Sequence, residues 1–125
     1  MIKLLLVDDQ ISVRYGLRLR LGLEPDMVIV GEASDGATAL ALFTTLQPDV
    51  VLMDVELPGL DGLAATAKLR AVAPECRVVI LSLHDDPETQ QRAQQVGAAA
   101  FVSKQAADRV LLAAIRQAAD RSAGM

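Results

Sequence analysis

Two hydrophobic periods alternate along this chain. Short aliphatic runs recur at 3–7, 27–31, 50–53, 78–81 and 98–102. They are continuous rather than alternating, which fits parallel strands buried on both faces. Between the runs, apolar positions shift to helical spacing. Val13, Leu17, Leu21 and Glu24 follow one i, i+4 line, with Arg14, Arg18 and Arg20 elsewhere on the same helix. Ala39, Leu40, Phe43 and Leu46 make a second such face, then Leu63, Ala67 and Leu69-Arg70, then Leu111, Ala114, Ile115 and Ala118. Pro25-Asp26, Gln47-Pro48-Asp49, Pro74-Glu75 and Val96-Gly97 stop helices, while Asp35, Asp61 and Asp86-Pro87 start them. The pattern predicts an α/β domain of the form (βα)5, a central five-stranded parallel sheet with helices on both faces.

In an open parallel sheet, chemistry collects at the carboxyl ends of the strands. The first run leads into Asp8-Asp9, the third ends in Asp54, the fourth in Ser82 and the fifth in Ser103-Lys104. Each residue alone has an ordinary structural use. Asp8 or Asp9 could cap the first helix, Asp54 could open a turn before Pro58-Gly59, and Lys104 could be a solvated charge. The conjunction says more. Three acids at one edge repel one another unless a cation joins them. Hard oxygen ligands without His or Cys suit Mg2+. A carboxylate can attack phosphorus to give an acyl phosphate, and that reaction depends mainly on positioning and charge neutralisation. Mg2+ and Lys104 would offset the incoming charge, and Ser82 would give a hydroxyl hydrogen bond.

Composition narrows the field. The chain has 125 residues, 52% apolar and 22% charged, which fits one folded domain and excludes a disordered tail. Aromatics are only 2%, so the core is aliphatic, and the composition argues against stacking on exposed bases. Twelve basic against sixteen acidic residues give a net charge of −4, which argues against nucleic-acid binding by this domain. The single Cys76 excludes an internal disulfide and a Cys-rich zinc site. The single His84 excludes multi-His metal sites and leaves only a triad built on His84 itself. No apolar run reaches the ~18 residues of a membrane helix. Met1-Ile2-Lys3 runs straight into the first strand, so no secretory signal and a cytoplasmic location are expected.

Several segments together resemble the receiver domain of two-component response regulators, end to end. They are Val7-Asp8-Asp9, Val50-Val51-Leu52-Met53-Asp54, Leu57-Pro58-Gly59-Leu60-Asp61-Gly62, Val79-Ile80-Leu81-Ser82, and the stretch from Gly97 to Phe101-Val102-Ser103-Lys104. The stretch from Val30 to Gly36 and Leu83-His84-Asp85-Asp86 are most similar to the NarL/FixJ subfamily. The resemblance implies the flavodoxin-like receiver fold over 1–121, with 122–125 as a linker stub or an artificial chain end. It implies Asp54 as phosphoacceptor for a sensor histidine kinase. It implies Mg2+ held by Asp8, Asp9, Asp54 and the Glu56 carbonyl, with Ser82 and Lys104 gripping the phosphoryl group. Phe101 would be the aromatic switch that turns inward as Ser82 moves, and Glu56 and His84 would tune the acyl-phosphate lifetime.

Three departures from the family pattern stand out, the first being Leu57 in place of the frequent Met before Pro58, a nearly volume-neutral swap. Gln105 follows Lys104 where a Pro, often cis, is common, and Leu83 follows Ser82 where a smaller residue is common. Leu83 is expected to narrow access to Asp54. For output, the polar helix 87–96, anchored by Ala93 and Val96, suits a segment that shifts on phosphorylation. Val110, Leu112 and Ala113 form a second apolar stripe on the last helix. The resemblance points to a homodimer through the first and fifth helices, with Tyr15 and Leu19 contributing. It also implies DNA control through a helix-turn-helix domain absent from this chain, and a switch rather than a turnover enzyme. A degenerate receiver acting as a phosphorylation-independent binding module is the alternative. A haloacid-dehalogenase type enzyme is disfavoured because Glu56, not Asp, stands two positions after Asp54. A nucleotide-binding domain is disfavoured because Asp8-Asp9-Gln10 replaces a Gly-rich phosphate loop.

Overall fold

The computed structural model describes residues 1–83 and 86–120. Ten elements alternate: β1 (Ile2–Val7), α1 (Ile11–Leu21), β2 (Met27–Ala33), α2 (Gly36–Leu46), β3 (Val50–Asp54), α3 (Gly62–Val72), β4 (Arg77–Ser82), α4 (Pro87–Gln95), β5 (Ala100–Ser103) and α5 (Asp108–Ala119). The strands form one parallel sheet in the order β2-β1-β3-β4-β5. The chain winds outward in both directions from β1, so the crevice between β1 and β3 opens at their carboxyl ends.

The aliphatic runs become strands because both of their faces are covered. Leu5, Val7, Val51, Met53, Val78 and Ile80 pack under α2, α3 and α4. Leu4, Leu6, Val50, Leu52, Val79 and Leu81 pack under α1 and α5. The predicted starts of α2, α3 and α4 are all N-caps. Asp35 accepts from the Thr38 amide at 2.7 Å, Asp61 from Ala64 at 2.8 Å and Asp86 from Thr89 at 3.1 Å. Each such cap is worth about 1 kcal/mol.

Three details differ from the sequence-based expectation. The fifth strand starts at Ala100, not at residue 98. Gly97, at φ +86°, closes α4: its amide donates to Gln94 O and the Ala98 amide to Ala93 O, a Schellman-type turn that uses up Ala98. On α3, Ala67 is exposed, and the core face is Leu63, Ala65, Thr66 and Leu69. On α5, Leu112 packs partly against the core, while Val110 and Ala113 stay exposed. The α4 anchors are as expected, with Ala93 buried and Val96 partly so.

One close approach ties α3 to the end of β3. The Gly62 amide donates to Val55 O at 2.9 Å, and a Cβ on Gly62 would lie 1.8 Å from the Asp54 carbonyl oxygen. Only glycine permits that contact without moving backbone. Gly62→Ala should therefore lower stability by about 2 kcal/mol or more, at the upper end of overpacking costs. Urea unfolding measures it; a loss under 0.5 kcal/mol, the scale of a neutral surface change, would show that the corner relaxes freely.

Candidate functional site

The carboxyl edge of the sheet gathers the acids. The Asp8 amide still donates to Ala33 O at 3.1 Å, so β1 delivers Asp8 as an extension of its ladder with β2. Asp54 is the last residue of β3 and lies beside Leu81 of β4. The Lys104 amide donates to Ser82 O at 2.8 Å, which fixes the start of the β5–α5 loop against the end of β4. From there the long Lys104 side chain extends to the ends of β1 and β3. Its Nζ donates to Asp8 Oδ2 at 2.9 Å and lies 3.1 Å from Asp54 Oδ2.

The alternative use of Asp8 and Asp9 as helix caps does not hold. The N-cap of α1 is Gln10, and it makes no side-chain cap hydrogen bond. Instead Asp8 Oδ1 accepts from the Gln10 amide at 2.9 Å, and Asp54 Oδ1 accepts from the Glu56 amide at 3.2 Å. Asp8 and Asp54 are buried and Asp9 is exposed. One carboxylate oxygen from each of the three lies within 4.8 Å of the others. All-oxygen donors at this spacing fit a hard divalent cation such as Mg2+. The open cavity in front of them is about 490 Å³, lined by Asp9, Asp54, Glu56, Leu57, Pro58, Leu83 and Lys104 among others.

Electrostatics follow from this crowding. Burial pushes the Asp54 carboxyl above the ordinary range; Lys104 pulls it down, Asp8 pushes it up, and the net direction is upward. Burial alone would depress the Lys104 ammonium, but its hydrogen bonds to Asp8 and Asp54 outweigh that and raise it. The site is held by one cation between two buried anions.

The other expected residues fall as follows. Ser82 is buried at the end of β4. Phe101 is half-buried, beside Ile80 in the sheet and against the α2–α4 side of the core. The Glu56 side chain is exposed at the cavity, and Leu83 stands at its rim, 57% exposed. His84 lies outside the described residues. Among the described residues no peptide is cis, so Lys104 meets Gln105 through a trans bond. Tyr15, Leu19 and Val110 are exposed, Ile11 extends the α1 stripe at the same i+4 spacing, and exposed Leu23 follows in the turn after the helix.

Sequence reasoning missed one pair. Arg14 stood among the helix-surface arginines, yet it reaches inward: Nη1 donates to the Asp8 carbonyl at 2.5 Å and Nε to Glu32 Oε1 at 3.1 Å. The available signal was Glu32 itself, an acid directly after the run 27–31, which the structure takes into β2.

Comparison with known proteins agrees with this geometry. The response regulator receiver domain family matches residues 4–116. The chain belongs to that family, and it is a receiver domain. It is 41% identical over 117 residues to the response regulator GacA of Pseudomonas aeruginosa, covering 94% of this chain and 55% of the relative. It is 35% identical over 116 residues to the nitrate/nitrite response regulator NarL of Escherichia coli, covering 93% of this chain and 54% of the relative. The chain therefore spans about half the length of the curated relatives it matches. Among solved structures it superposes on the NarL signal receiver domain of Mycobacterium tuberculosis with a TM-score of 0.91 at 35% identity, covering 96% and 97% of the two chains. The response regulator domain of Thermotoga maritima CheB gives 0.88 at 33%, with the same coverage. These relatives support the NarL/FixJ likeness read from the sequence. No helix among the described residues is long and apolar enough to cross a membrane.

The raised Asp54 carboxyl has a stability consequence. The folded chain holds that proton more tightly than the unfolded chain does. The resulting stabilisation is complete below the ordinary carboxylate pKa and is lost as pH rises through the folded value. Without metal, ionising Asp54 in the folded chain thus costs stability. Asp54→Asn in EDTA at pH 7 should raise Tm by a few degrees, a gain that shrinks in acid. A lower Tm for the variant would mean that the Lys104 contact dominates instead.

Proposed function

We propose that this receiver takes a phosphoryl group from the phosphohistidine of a sensor histidine kinase onto Asp54, in a reaction that needs Mg2+, and so switches an output. The convergence of Asp8 and Asp54 on one ammonium, with Asp9 in reach of the same ion, carries the reading. An Asp54 oxygen attacks phosphorus, forming a P–O bond as the N–P bond of the donor breaks. The leaving imidazole takes up a proton from solvent. The product is an aspartyl phosphate.

Asp8, Asp9, Asp54 and the Glu56 carbonyl are the groups that would hold Mg2+. The ion supplies charge neutralisation for the phosphoryl oxygens. Lys104 exchanges part of its carboxylate contact for a phosphoryl oxygen, and the Ser82 hydroxyl donates to another. Phe101 follows Ser82 inward and carries the change toward α4 and α5. Glu56 and His84 tune the lifetime of the aspartyl phosphate by ordering or excluding water. Receiver domains of response regulators are generally not turnover enzymes, and this one acts as a switch.

The output is transcription, through a helix-turn-helix domain beyond this chain. The names of relatives such as the transcriptional regulatory protein LiaR of Bacillus subtilis support this. The acidic receiver does not itself hold DNA. Phosphorylation favours a homodimer through α1 and α5, with Tyr15, Leu19, Val110, Leu112 and Ala113 at the contact. The exposed α1 stripe and the two exposed α5 positions support that surface.

Intact-mass spectrometry after acetyl phosphate with Mg2+ tests the chemistry. We expect a gain of one phosphoryl group that disappears with EDTA and in Asp54→Asn. In the same assay Leu83→Ala should react several-fold faster, because it clears the cavity rim; equal rates would remove Leu83 as a barrier. No adduct from either acetyl phosphate or a phosphorylated kinase would favour the binding-module alternative. Sedimentation velocity tests the dimer: a shift to dimer with beryllofluoride is expected, and a monomer in both states would reject it.

A further inference from the structure

The pairing of Arg14 with Glu32 depends on an irregularity in β2. Leu4 lies beside Ile29, but Leu5 lies beside Gly31, so one extra residue is inserted at Val30. Paired residues of parallel strands face the same side. Glu32 lies beside Leu6, which faces α1 and α5. Without the inserted residue, position 31 would stand there and Glu32 would face α2. The bulge turns the acid toward α1, as bulges re-aim side chains elsewhere.

There Glu32 accepts from two arginines. Arg14 Nε donates at 3.1 Å and Arg18 Nη1 at 2.9 Å. The Arg14 side chain is 16% exposed and Arg18 51%, so the first pair is the better shielded. Arg14 alone continues to the Asp8 carbonyl. α1 lacks the side-chain N-cap that α2, α3 and α4 possess. Besides the apolar packing of Leu17 and Leu21, its first turn is tied to the end of β1 by this charge-assisted bond and by the Asp8 carboxylate's bond to Gln10.

We propose that Arg14, anchored by Glu32, is a positioning residue for the acidic site: it fixes the β1–α1 corner on which Asp8 and Asp9 stand, and so sets Mg2+ affinity. This rests on the reading of Asp8, Asp9 and Asp54 as Mg2+ ligands. Outer-shell partners that orient ligands typically change metal affinity about 10- to 100-fold when removed. The expected effect is opposite in sign to that of plain electrostatics. Removing a positive charge near three acids should tighten cation binding, whereas releasing the corner should loosen it.

Mg2+ titration of the whole chain by isothermal calorimetry decides between them, alongside Tm in EDTA. Arg14→Gln is expected to weaken Mg2+ binding about 10-fold, the low end for outer-shell loss, with an EDTA Tm close to that of Arg18→Gln. Glu32→Gln should weaken it too. Arg18→Gln, which removes the same charge without touching Asp8, should leave the affinity unchanged or slightly tighter. Parental or tighter binding in Arg14→Gln overturns the proposal. If that variant does not fold, Arg14→Lys takes its place, since it keeps the charge and loses the two-pronged contact; unchanged affinity there overturns the proposal equally. A parent chain that binds no Mg2+ removes the metal reading itself, and this inference with it, which is a different result from a parent that binds and a variant that binds as well.

Discussion

Like charges held together at the edge of a low-dielectric sheet are the constraint from which the rest follows. Two buried carboxylates and one exposed one converge where β1 and β3 end, and a single ammonium joins the buried pair. The strand order makes this possible. β1 and β3 are neighbours, so Asp8 and Asp54 meet although 46 positions separate them. β5 lies two strands out from β3, with β4 between, and the Lys104 ammonium reaches back to both carboxylates. The crowding costs stability, and that cost makes the site responsive: a cation or a phosphoryl group changes the balance of charge at once.

The scaffold tolerates the strain because the corners around the site are firmly tied. α3 presses Gly62 against the Asp54 carbonyl, and its first turn is capped by Asp61. The β5–α5 loop is pinned by the Lys104 amide and by Ser103 Oγ, which accepts from the Gln105 amide at 3.1 Å. α4 is the contrast. Ala93 is its one buried residue among those described, so it is the helix that can move with least loss of apolar contact.

The sequence carried the architecture and the acidic edge because both are local. A buried strand needs a continuous aliphatic run, and the aspartates that cap α2, α3 and α4 stand directly before the helices that they start. The misplacements have non-local causes. β5 starts late because the Gly97 turn consumes residues that are apolar enough to pass for strand. Ala67 is small enough to sit on either face of α3, so its spacing with Leu63 carried little information. Glu32 could not be aimed from the alternation of its strand, since an inserted residue reverses the parity at Val30. Arg14 inherited that ambiguity: without knowing which way Glu32 pointed, nothing distinguished it from Arg18. Asp54, Asp8 and Lys104 were legible because each closes a strand, and strand ends in a parallel sheet share one edge.

The division of the interior has a further consequence. Among the described residues the buried aliphatic side chains fall into two clusters, one on each face of the sheet, and none belongs to both. Neighbours such as Leu5 and Leu6 thus solve separate packing problems. A change of volume beneath α1 and α5 meets its packing partners on that side, and substitutions on opposite sides that lie far apart should combine additively. The layer beneath α2, α3 and α4 can therefore drift in sequence without asking the other layer to follow. A lineage of such proteins is free to reshape one flank for a new partner while the opposite flank, and the charged edge between them, keeps its old form.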